Sequence, residues 1–419
     1  MKHSPIHPEN LPETLIWYYI ISTYLLYLLG AQYVAATLLG TYLAYCVLKQ
    51  WWEETDKTPP EDKIVLAPLN WVWIAAVLVI EFSLIIGHFD NNLGIGQLIK
   101  STIFWYRGWG LFVLFPLAGH LKIRPEIIYR AACILCLQTL ILTPIFRFAA
   151  LVNLPQLAYV SPFKLLGGGA LPSAVNLFYI IDIDEIRLVL FAPWAPALGL
   201  VGNIYLWLVM AEQDRKWRFL GIMGAVAMIL ASVSRMAMMA LPFVPICIWG
   251  LTHCFRPWFQ ISAGFLTPLF VMILPWVRNL LSTLKERFYN ARPGSSRVRK
   301  ALKEMARQKW EQDAPLWGHG IMQTKGPRVT GGMPIGSHHT WLGILYLQGI
   351  FAFMALGTAF FLSGIDLGIK AFTHENARIG LAMMIILFLF SLGENIDTLA
   401  YLYWPGLILV GQGFKEKWT

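Results

Sequence analysis

The sequence predicts an all-α fold: a polytopic bundle of about twelve transmembrane helices, with a large, partly helical loop before the tenth span. Hydrophobic residues occupy 57% of the 419 positions and charged residues only 14%, whereas roughly a quarter of the residues in a soluble domain are charged. Each span needs about 20 apolar residues, and windows of this kind follow one another along most of the chain. We therefore predict one integral membrane domain over residues 1–419.

Apolar windows bounded by Gly, Pro and charged residues place the individual spans. The first two windows are joined by a very tight turn, and the pattern pauses after the fifth window and again after the ninth. The predicted spans are 15–29, 31–48, 66–86, 103–117, 127–145, 193–210, 219–230, 236–249, 258–274, 341–362, 379–392 and 399–410.

The distribution of Lys and Arg over the short loops predicts the orientation, because positive charge resists translocation. With both termini in the cytoplasm, the basic residues of the short loops collect on the inner side, while the opposite short loops are nearly bare. The inner residues are Lys49, Lys57, Lys63, Lys122, Arg124, Arg215, Lys216, Arg218, Lys370, Arg378, Lys415 and Lys417.

The net charge and the cysteines also indicate which binding partners and which kinds of site to expect. The net charge of +9 is typical of a membrane protein that contacts anionic membrane lipids, so nucleic acid is not an expected partner. Cys133 and Cys136 form a CxxC in the middle of a predicted span, where we expect them to pack rather than to bind metal, and the five cysteines predict no disulfide framework. Residues 1–14 lack the features of a removable signal peptide.

Two predicted outer segments are too long for simple connections. Residues 146–192 contain Gly167, Gly168 and Gly169 and are apolar enough that part of this loop is expected to lie on the membrane or re-enter it. Residues 278–340 carry twelve Lys or Arg against four acidic residues, with a predicted helix over about 297–312 and a Gly-rich stretch ending at Gly336. We expect function to reside in these two loops.

Three residues precede or open spans that run from outside to inside: Arg187, Arg235 and His338. A helix N-terminus binds anions, and Ser232 or Ser234 and Ser337 are candidate N-caps. The helix dipole would keep His338 neutral and able to accept a proton. Arginine pairs with phosphate in a bidentate manner and keeps its charge. This set therefore suits glycosyl transfer from a pyrophosphate carrier.

Each of these residues also has a structural interpretation. Arg235 is as well explained as an anchor at the end of a span, and Arg187 as a member of a local ion pair within residues 182–187. His338 and His339 point about 100° apart on a helix, which makes them poor joint metal ligands. Glu81 and Arg107 are expected to form a structural ion pair or, less favoured, to line the acceptor path. Packing within the loop is the default interpretation for His319 and Arg328.

The motifs of the second half of the chain resemble those of the O-antigen ligase and polymerase superfamily. Gly318-His319-Gly320 is followed by Gly336-Ser337-His338-His339-Thr340-Trp341-Leu342 and then by Gln348-Gly349-Ile350. This order is similar to the family's Gly-x-Gly, His-Asn-x-aromatic-Leu and Gly, with His339 in the place of the usual Asn. Arg297 and Trp310, Ser234-Arg235, and Arg187 with Pro193 or Pro196 resemble further family positions.

The resemblance implies an activity. His338 would be the essential base, and Arg187 and Arg235 would hold the pyrophosphate, with His339, His319 and Arg328 as possible secondary residues. The donor would be an undecaprenyl-pyrophosphate-linked glycan and the acceptor lipid A-core, at the periplasmic face of the bacterial inner membrane, with inversion and with no metal, nucleotide or other cofactor. An O-antigen polymerase, a protein O-oligosaccharyltransferase and, outside enzymes, a transporter of lipid-linked glycans are the alternatives.

Overall fold

The computed structural model describes residues 6–59, 63–163, 174–182, 185–290, 293–323 and 325–418, and the fold is mostly helical, at 73%. The first half of the chain contributes the following helices: α1 (Leu11–Ile21), α2 (Thr23–Leu28), α3 (Gln32–Trp52), α4 (Pro68–Asp90), α5 (Ile95–Arg107), α6 (Leu111–Ala118) and α7 (Pro125–Leu151). The second half contributes α8 (Ala195–Met210), α9 (Arg215–Ala231), α10 (Arg235–His253), α11 (Pro257–Asn290), α12 (Pro293–Asp313), α13 (Thr340–Lys370), α14 (Glu375–Ser391) and α15 (Ala400–Lys415).

The structure confirms the prediction of apolar helices that are able to cross a membrane. Five helices of the described residues are long and apolar enough to cross a membrane: Pro68–Asp90, Pro125–Leu151, Arg235–His253, Pro257–Leu280 and Thr340–Lys370. The remaining apolar windows form shorter or broken helices, such as α8 with 16 residues. The count of twelve spans stays a prediction.

Two predicted spans divide into separate helices. The first divides at Ser22 into α1 and α2, and the fourth divides at Gly108–Gly110 into α5 and α6. Gly110 packs so closely on the turn before it that an added Cβ would lie 2.2 Å from the Tyr106 carbonyl oxygen. Only glycine permits this turn, so the helix ends there although the apolar composition continues.

The core of the bundle is built around α15. Every residue from Ala400 to Phe414 is buried, and this helix packs against α3, α6, α8 and α14. Aromatic side chains fill the space between these helices, with Trp404 stacked on Phe115 at a centroid distance of 4.9 Å. Cys133 and Cys136 are buried in α7, where the close approach of Gly221 and Gly224 of α9 confirms that they pack between helices.

The two long loops have different structures. The first contains two antiparallel pairs of strands: β1 (Ala158–Val160) pairs with β2 (Ala174–Asn176), and β3 (Ile180–Asp182) pairs with β4 (Glu185–Arg187). Gly167, Gly168 and Gly169 lie outside the described residues. The second loop, predicted from residue 278, includes the end of α11, which continues to Asn290. It then contains α12, which includes the predicted helix over 297–312, and a 3-10 turn over Arg328–Thr330.

Candidate active site

Glycines dock the segment before His338 onto α13. The His319 N–H donates to the Tyr346 carbonyl at 2.9 Å, and the Gly320 N–H donates to the Leu347 carbonyl at 2.8 Å. Gly349 has φ of 75° and ψ of −167°, which opens α13 at the point where the segment crosses. An added Cβ on Gly349 would lie 2.1 Å from the Leu316 carbonyl oxygen. The glycines of the sequence motif are therefore needed for close backbone contact.

His338 lies two residues before α13 with φ of 60°, in the left-handed region that side chains other than Gly rarely adopt. The N-cap of α13 is His339, whose Nδ1 accepts a hydrogen bond from the Leu342 N–H at 3.3 Å. The prediction that Ser337 caps this helix is wrong, because its hydroxyl donates to the Pro334 carbonyl at 2.6 Å. His338 is thus presented by a turn rather than by the first helical turn.

The loop between α14 and α15, residues 392–399, holds this turn in place. The Thr340 hydroxyl donates to the Glu394 carbonyl at 2.7 Å and accepts from the Ile396 N–H at 3.1 Å. Asn395 accepts from the His339 N–H at 3.1 Å and donates to the Gly336 carbonyl at 3.3 Å. The backbone on both sides of His338 is therefore fixed by one loop.

The same loop presents a buried carboxylate beside His338. Glu394 is 4% exposed and accepts hydrogen bonds from Arg299 Nη2 at 3.0 Å and from Trp194 Nε1 at 3.1 Å. Arg299 also donates to the Gly393 carbonyl at 3.0 Å, and Lys303, one turn further along α12, donates to the Leu392 carbonyl at 3.4 Å. The basic helix α12 thus delivers two cations to the site.

Both histidines are held neutral. Burial lowers the pKa of His338 below its usual value of 6.5, with the charge of Glu394 opposing this shift and that of Arg299 adding to it. Burial, together with the charge of Lys303, lowers the pKa of His339 to about 4. The expected neutral state of His338 is therefore present, but its main cause is burial rather than the helix dipole.

Arg187 and Arg235 lie on neighbouring segments. Arg187 ends β4 and is 4% exposed, and the next residue, Leu188, donates its N–H to the Ala231 carbonyl at the end of α9, at 3.3 Å. Arg235 opens α10, where the predicted cap Ser234 accepts from the Ala237 N–H at 3.4 Å. The charge of Arg235 interacts with the charges of Arg187 and Arg299.

Arg299 therefore connects the predicted residues. It interacts electrostatically with both Arg235 and His338. Arg187, Arg235 and Arg299 form a cluster, referred to below as the arginine cluster, next to the neutral His338. Arg187 was predicted just before the sixth span, and it lies at the end of strand β4, ahead of the start of α8 at Ala195. The acidic partners of the alternative local ion pair fall within residues 182–185, whose side chains lie outside the described part of the chain.

Other predictions need correction. Glu81 and Arg107 do not pair with each other: Glu81 accepts from the Thr102 hydroxyl at 2.5 Å, and Arg107 lies over the ring of Tyr33 at 5.4 Å. Arg297, matched by the resemblance, is exposed, and it is Arg299 that reaches the site. The two residues are two positions apart on α12 and so face different directions.

The described contacts of His319 and Arg328 do not include the arginine cluster. The His319 ring stacks on Tyr346 at a centroid distance of 4.3 Å, with Nδ1 3.0 Å from the Tyr346 carbonyl oxygen. Arg328 is exposed on the 3-10 turn. Among the described residues, no three His, Cys, Asp or Glu side chains come together in a group that could hold a metal ion.

Sequence reasoning missed Glu394, Arg299, Lys303 and Trp194. The signal for Glu394 was present, because Glu394 and Asn395 form a polar pair in a short loop between two apolar windows. Arg299 and Lys303 are four positions apart and share a helix face. Nothing in the pattern singled this face out among the other basic residues of the loop.

Comparison with known proteins gives one family match. No curated protein matches the chain. The family model described as O-antigen ligase matches residues 198–357, a range that contains Arg235, Arg299 and His338 and ends within α13. The matched segment thus includes the glycine-docked turn, and over this range the chain is similar to the O-antigen ligase family.

Proposed function

We propose that this protein transfers a glycan from undecaprenyl pyrophosphate to a sugar hydroxyl of lipid A-core at the periplasmic face of the inner membrane. The observation that carries the proposal is the arginine cluster beside a buried, neutral His338. The family match supports an enzyme of the O-antigen ligase and polymerase type. The donor, the acceptor and the independence from metal and nucleotide follow from the resemblance of the motifs.

In this proposal the arginine cluster binds the pyrophosphate of the donor. The diphosphate gains negative charge as its bond to the sugar breaks, and fixed cations in a site of low dielectric constant stabilise that charge. Arg187 and Arg235 carry fixed positive charges with a planar fork of donors suited to phosphate oxygens. Arg299 adds a third cation, but its charge is partly offset by the hydrogen-bonded Glu394.

His338 acts on the acceptor. Its neutral imidazole takes the proton of the acceptor hydroxyl while the hydroxyl oxygen forms a bond to the anomeric carbon. The bond from that carbon to the phosphate oxygen breaks, and undecaprenyl pyrophosphate leaves with the bonding electrons. One displacement of this kind inverts the anomeric configuration, and the proton on His338 is later released to water.

Glu394 is a positioning residue in this proposal. Its carboxylate raises the pKa of His338 against the lowering caused by burial and by Arg299. The loop that carries it also binds the backbone of His339 and Thr340. Glu394 thereby keeps the imidazole basic enough to accept a proton while remaining neutral at physiological pH.

The test is a transfer assay with the purified full-length protein in liposomes, given undecaprenyl-pyrophosphate glycan and lipid A-core without nucleotide or added metal. We expect the wild type to lengthen the lipid A-core and His338→Ala to lose this activity. Lys325→Ala is the matched control, because Lys325 is exposed on the same loop and is expected to leave folding and transfer unchanged.

Each other outcome has a definite meaning. Extension of the carrier-linked glycan by the wild type would replace the ligase with a polymerase that uses the same site. Retained activity in a folded His338→Ala variant would remove His338 as the base. Retained anomeric configuration in the product would contradict the single displacement, and absence of transfer by the wild type would favour a carrier of lipid-linked glycans.

A further inference from the structure

A second polar cluster includes a further residue of the loop 392–399. Its members are Tyr33 near the start of α3, Arg107 at the end of α5, and Asp397 in that loop, and we call them the Tyr33 cluster. The Arg107 guanidinium lies 5.4 Å from the centre of the Tyr33 ring, and Asp397 and Arg107 both act electrostatically on Tyr33. An added Cβ on Gly108 would lie 3.3 Å from the Asp397 carbonyl oxygen, so the two chain segments touch.

Two hydrogen-bonding groups of this cluster have no partner. Tyr33 is 3% exposed, and its buried hydroxyl has no hydrogen bond in the described part of the chain; the same is true of Arg107 Nη1. Buried tyrosines nearby are satisfied: Tyr19 donates to the Gln32 carbonyl at 2.9 Å, and Tyr403 to the Ile396 carbonyl at 2.7 Å. Buried polar groups are normally paired, so two adjacent exceptions indicate a site for a bound molecule.

The chemistry of the cluster suits a sugar. Arg107 and Tyr33 provide donors, and Asp397 provides a carboxylate acceptor whose pKa is raised to about 6 by burial. The ring of Tyr33 stands edge-on to Tyr401 at 5.3 Å, which fixes the direction of its hydroxyl. A sugar hydroxyl donates one hydrogen bond and accepts others, so neighbouring hydroxyls can satisfy all three side chains. A simple anion would use the donors but would be repelled by Asp397.

The Tyr33 cluster and the candidate active site share one loop. Glu394 and Asn395 contact the turn of His338, and Asp397, two residues beyond Asn395, contacts the segment after Arg107. One short loop therefore separates the two groups of side chains. In the predicted topology both lie at the outer ends of the helices.

We propose that Tyr33, Arg107 and Asp397 bind hydroxyl groups of a core sugar of the acceptor. This inference rests on the proposed function. The donor glycan presents the same chemistry, so the two sources must be separated by measurement. The Tyr33 cluster sets the affinity for the acceptor and takes no part in the bond-forming step.

The test variant is Tyr33→Phe, which removes one hydroxyl that has no protein partner and should leave folding intact. With the donor saturating, we expect the KM for lipid A-core to rise by about tenfold, the worth of one buried hydrogen bond. The kcat and the KM for the donor should remain unchanged. Tyr45→Phe is the matched control, because Tyr45 lies on the same helix and is 57% exposed. Arg107→Lys, compared with Arg147→Lys at an exposed position, tests the second donor.

A direct measurement separates this inference from the proposed function. Titration of the purified protein with delipidated core oligosaccharide, without donor, should give a Kd about tenfold higher for Tyr33→Phe than for the wild type or Tyr45→Phe. This result would support the site even if the wild type transferred nothing. A rise in the KM of the donor instead would overturn the assignment to the acceptor. Unchanged constants, or no binding by the wild type, would overturn the site and leave it holding water only.

Discussion

Gly349→Ala probes the docking that presents His338. Gly349 has φ of 75° and ψ of −167°, a region that is nearly exclusive to glycine and costs other residues about 1–3 kcal/mol. The added Cβ would also lie 2.1 Å from the Leu316 carbonyl oxygen and 2.6 Å from the Trp317 nitrogen. Relief of this overlap requires the segment 316–320 to move away from α13.

That movement breaks specific hydrogen bonds. The segment is held by the N–H groups of His319 and Gly320 and by the Ile350 N–H, which donates to the Pro315 carbonyl at 3.1 Å. Each such bond contributes about 1 kcal/mol net. Together with the backbone strain, we expect Gly349→Ala to destabilise the protein by about 3 kcal/mol or more. Transfer activity should fall as well, because the turn carrying His338 follows the displaced segment.

Thermal unfolding of the full-length protein in detergent measures this effect. Gly364→Ala is the control, since Gly364 lies in the same helix with no atom within 4 Å of an added Cβ and alanine is the better helix former by about 1 kcal/mol. We expect a clear drop in Tm for Gly349→Ala and an unchanged or higher Tm for Gly364→Ala. Equal Tm and equal activity in the two variants would refute the docking argument.

Three further predictions address the site and the fold. Activity that requires neutral His338 should fall at acid pH as His338 protonates, below its usual 6.5. Glu394→Gln removes a charge that raises the pKa of His338 and should move the acid limb of kcat/KM to lower pH. Arg299→Gln removes a charge that lowers this pKa and should move the limb to higher pH; parallel losses at all pH values would indicate a structural role only. Ser234→Ala should destabilise the protein by about 1 kcal/mol through loss of an N-cap, measured as a lower Tm, whereas Ser337→Ala should not disturb a helix start that is capped by His339. Lys370→Met breaks a buried pair with Asp366 at 2.7 Å and should cost about 3–5 kcal/mol by thermal unfolding, while adding Asp366→Leu should recover part of this loss; a double variant less stable than the single one would contradict the charge argument.

Apolar windows predict the helices but not their interruptions. Apolar windows predicted where α3, α4, α7 and α13 lie, because burial in lipid or in the core selects composition over many residues. The break between α5 and α6 depends on the backbone approach of Gly110 to Tyr106. Such a contact is made by a few atoms and leaves no periodic trace.

The residues of the candidate site also fall into those that the sequence predicts and those that it does not. His338 and Arg235 were predictable because each stands at the boundary of an apolar window, where a charged or titratable residue is conspicuous. Ser234 was likewise predicted correctly as a cap. Glu394 and Arg299 were not predictable as a pair, since they are 95 positions apart and meet only through the packing of α12 on the start of α13.

The loop 392–399 contributes residues to both sites. Glu394 and Asn395 fix the turn of His338, while Asp397 belongs to the Tyr33 cluster. A displacement of this loop would therefore change the base and the proposed acceptor site together. Because Thr340 and Asn395 bind the backbone rather than a substrate, the loop can keep the two sites in register before either substrate arrives, which is the preorganisation that transfer between two large glycans requires.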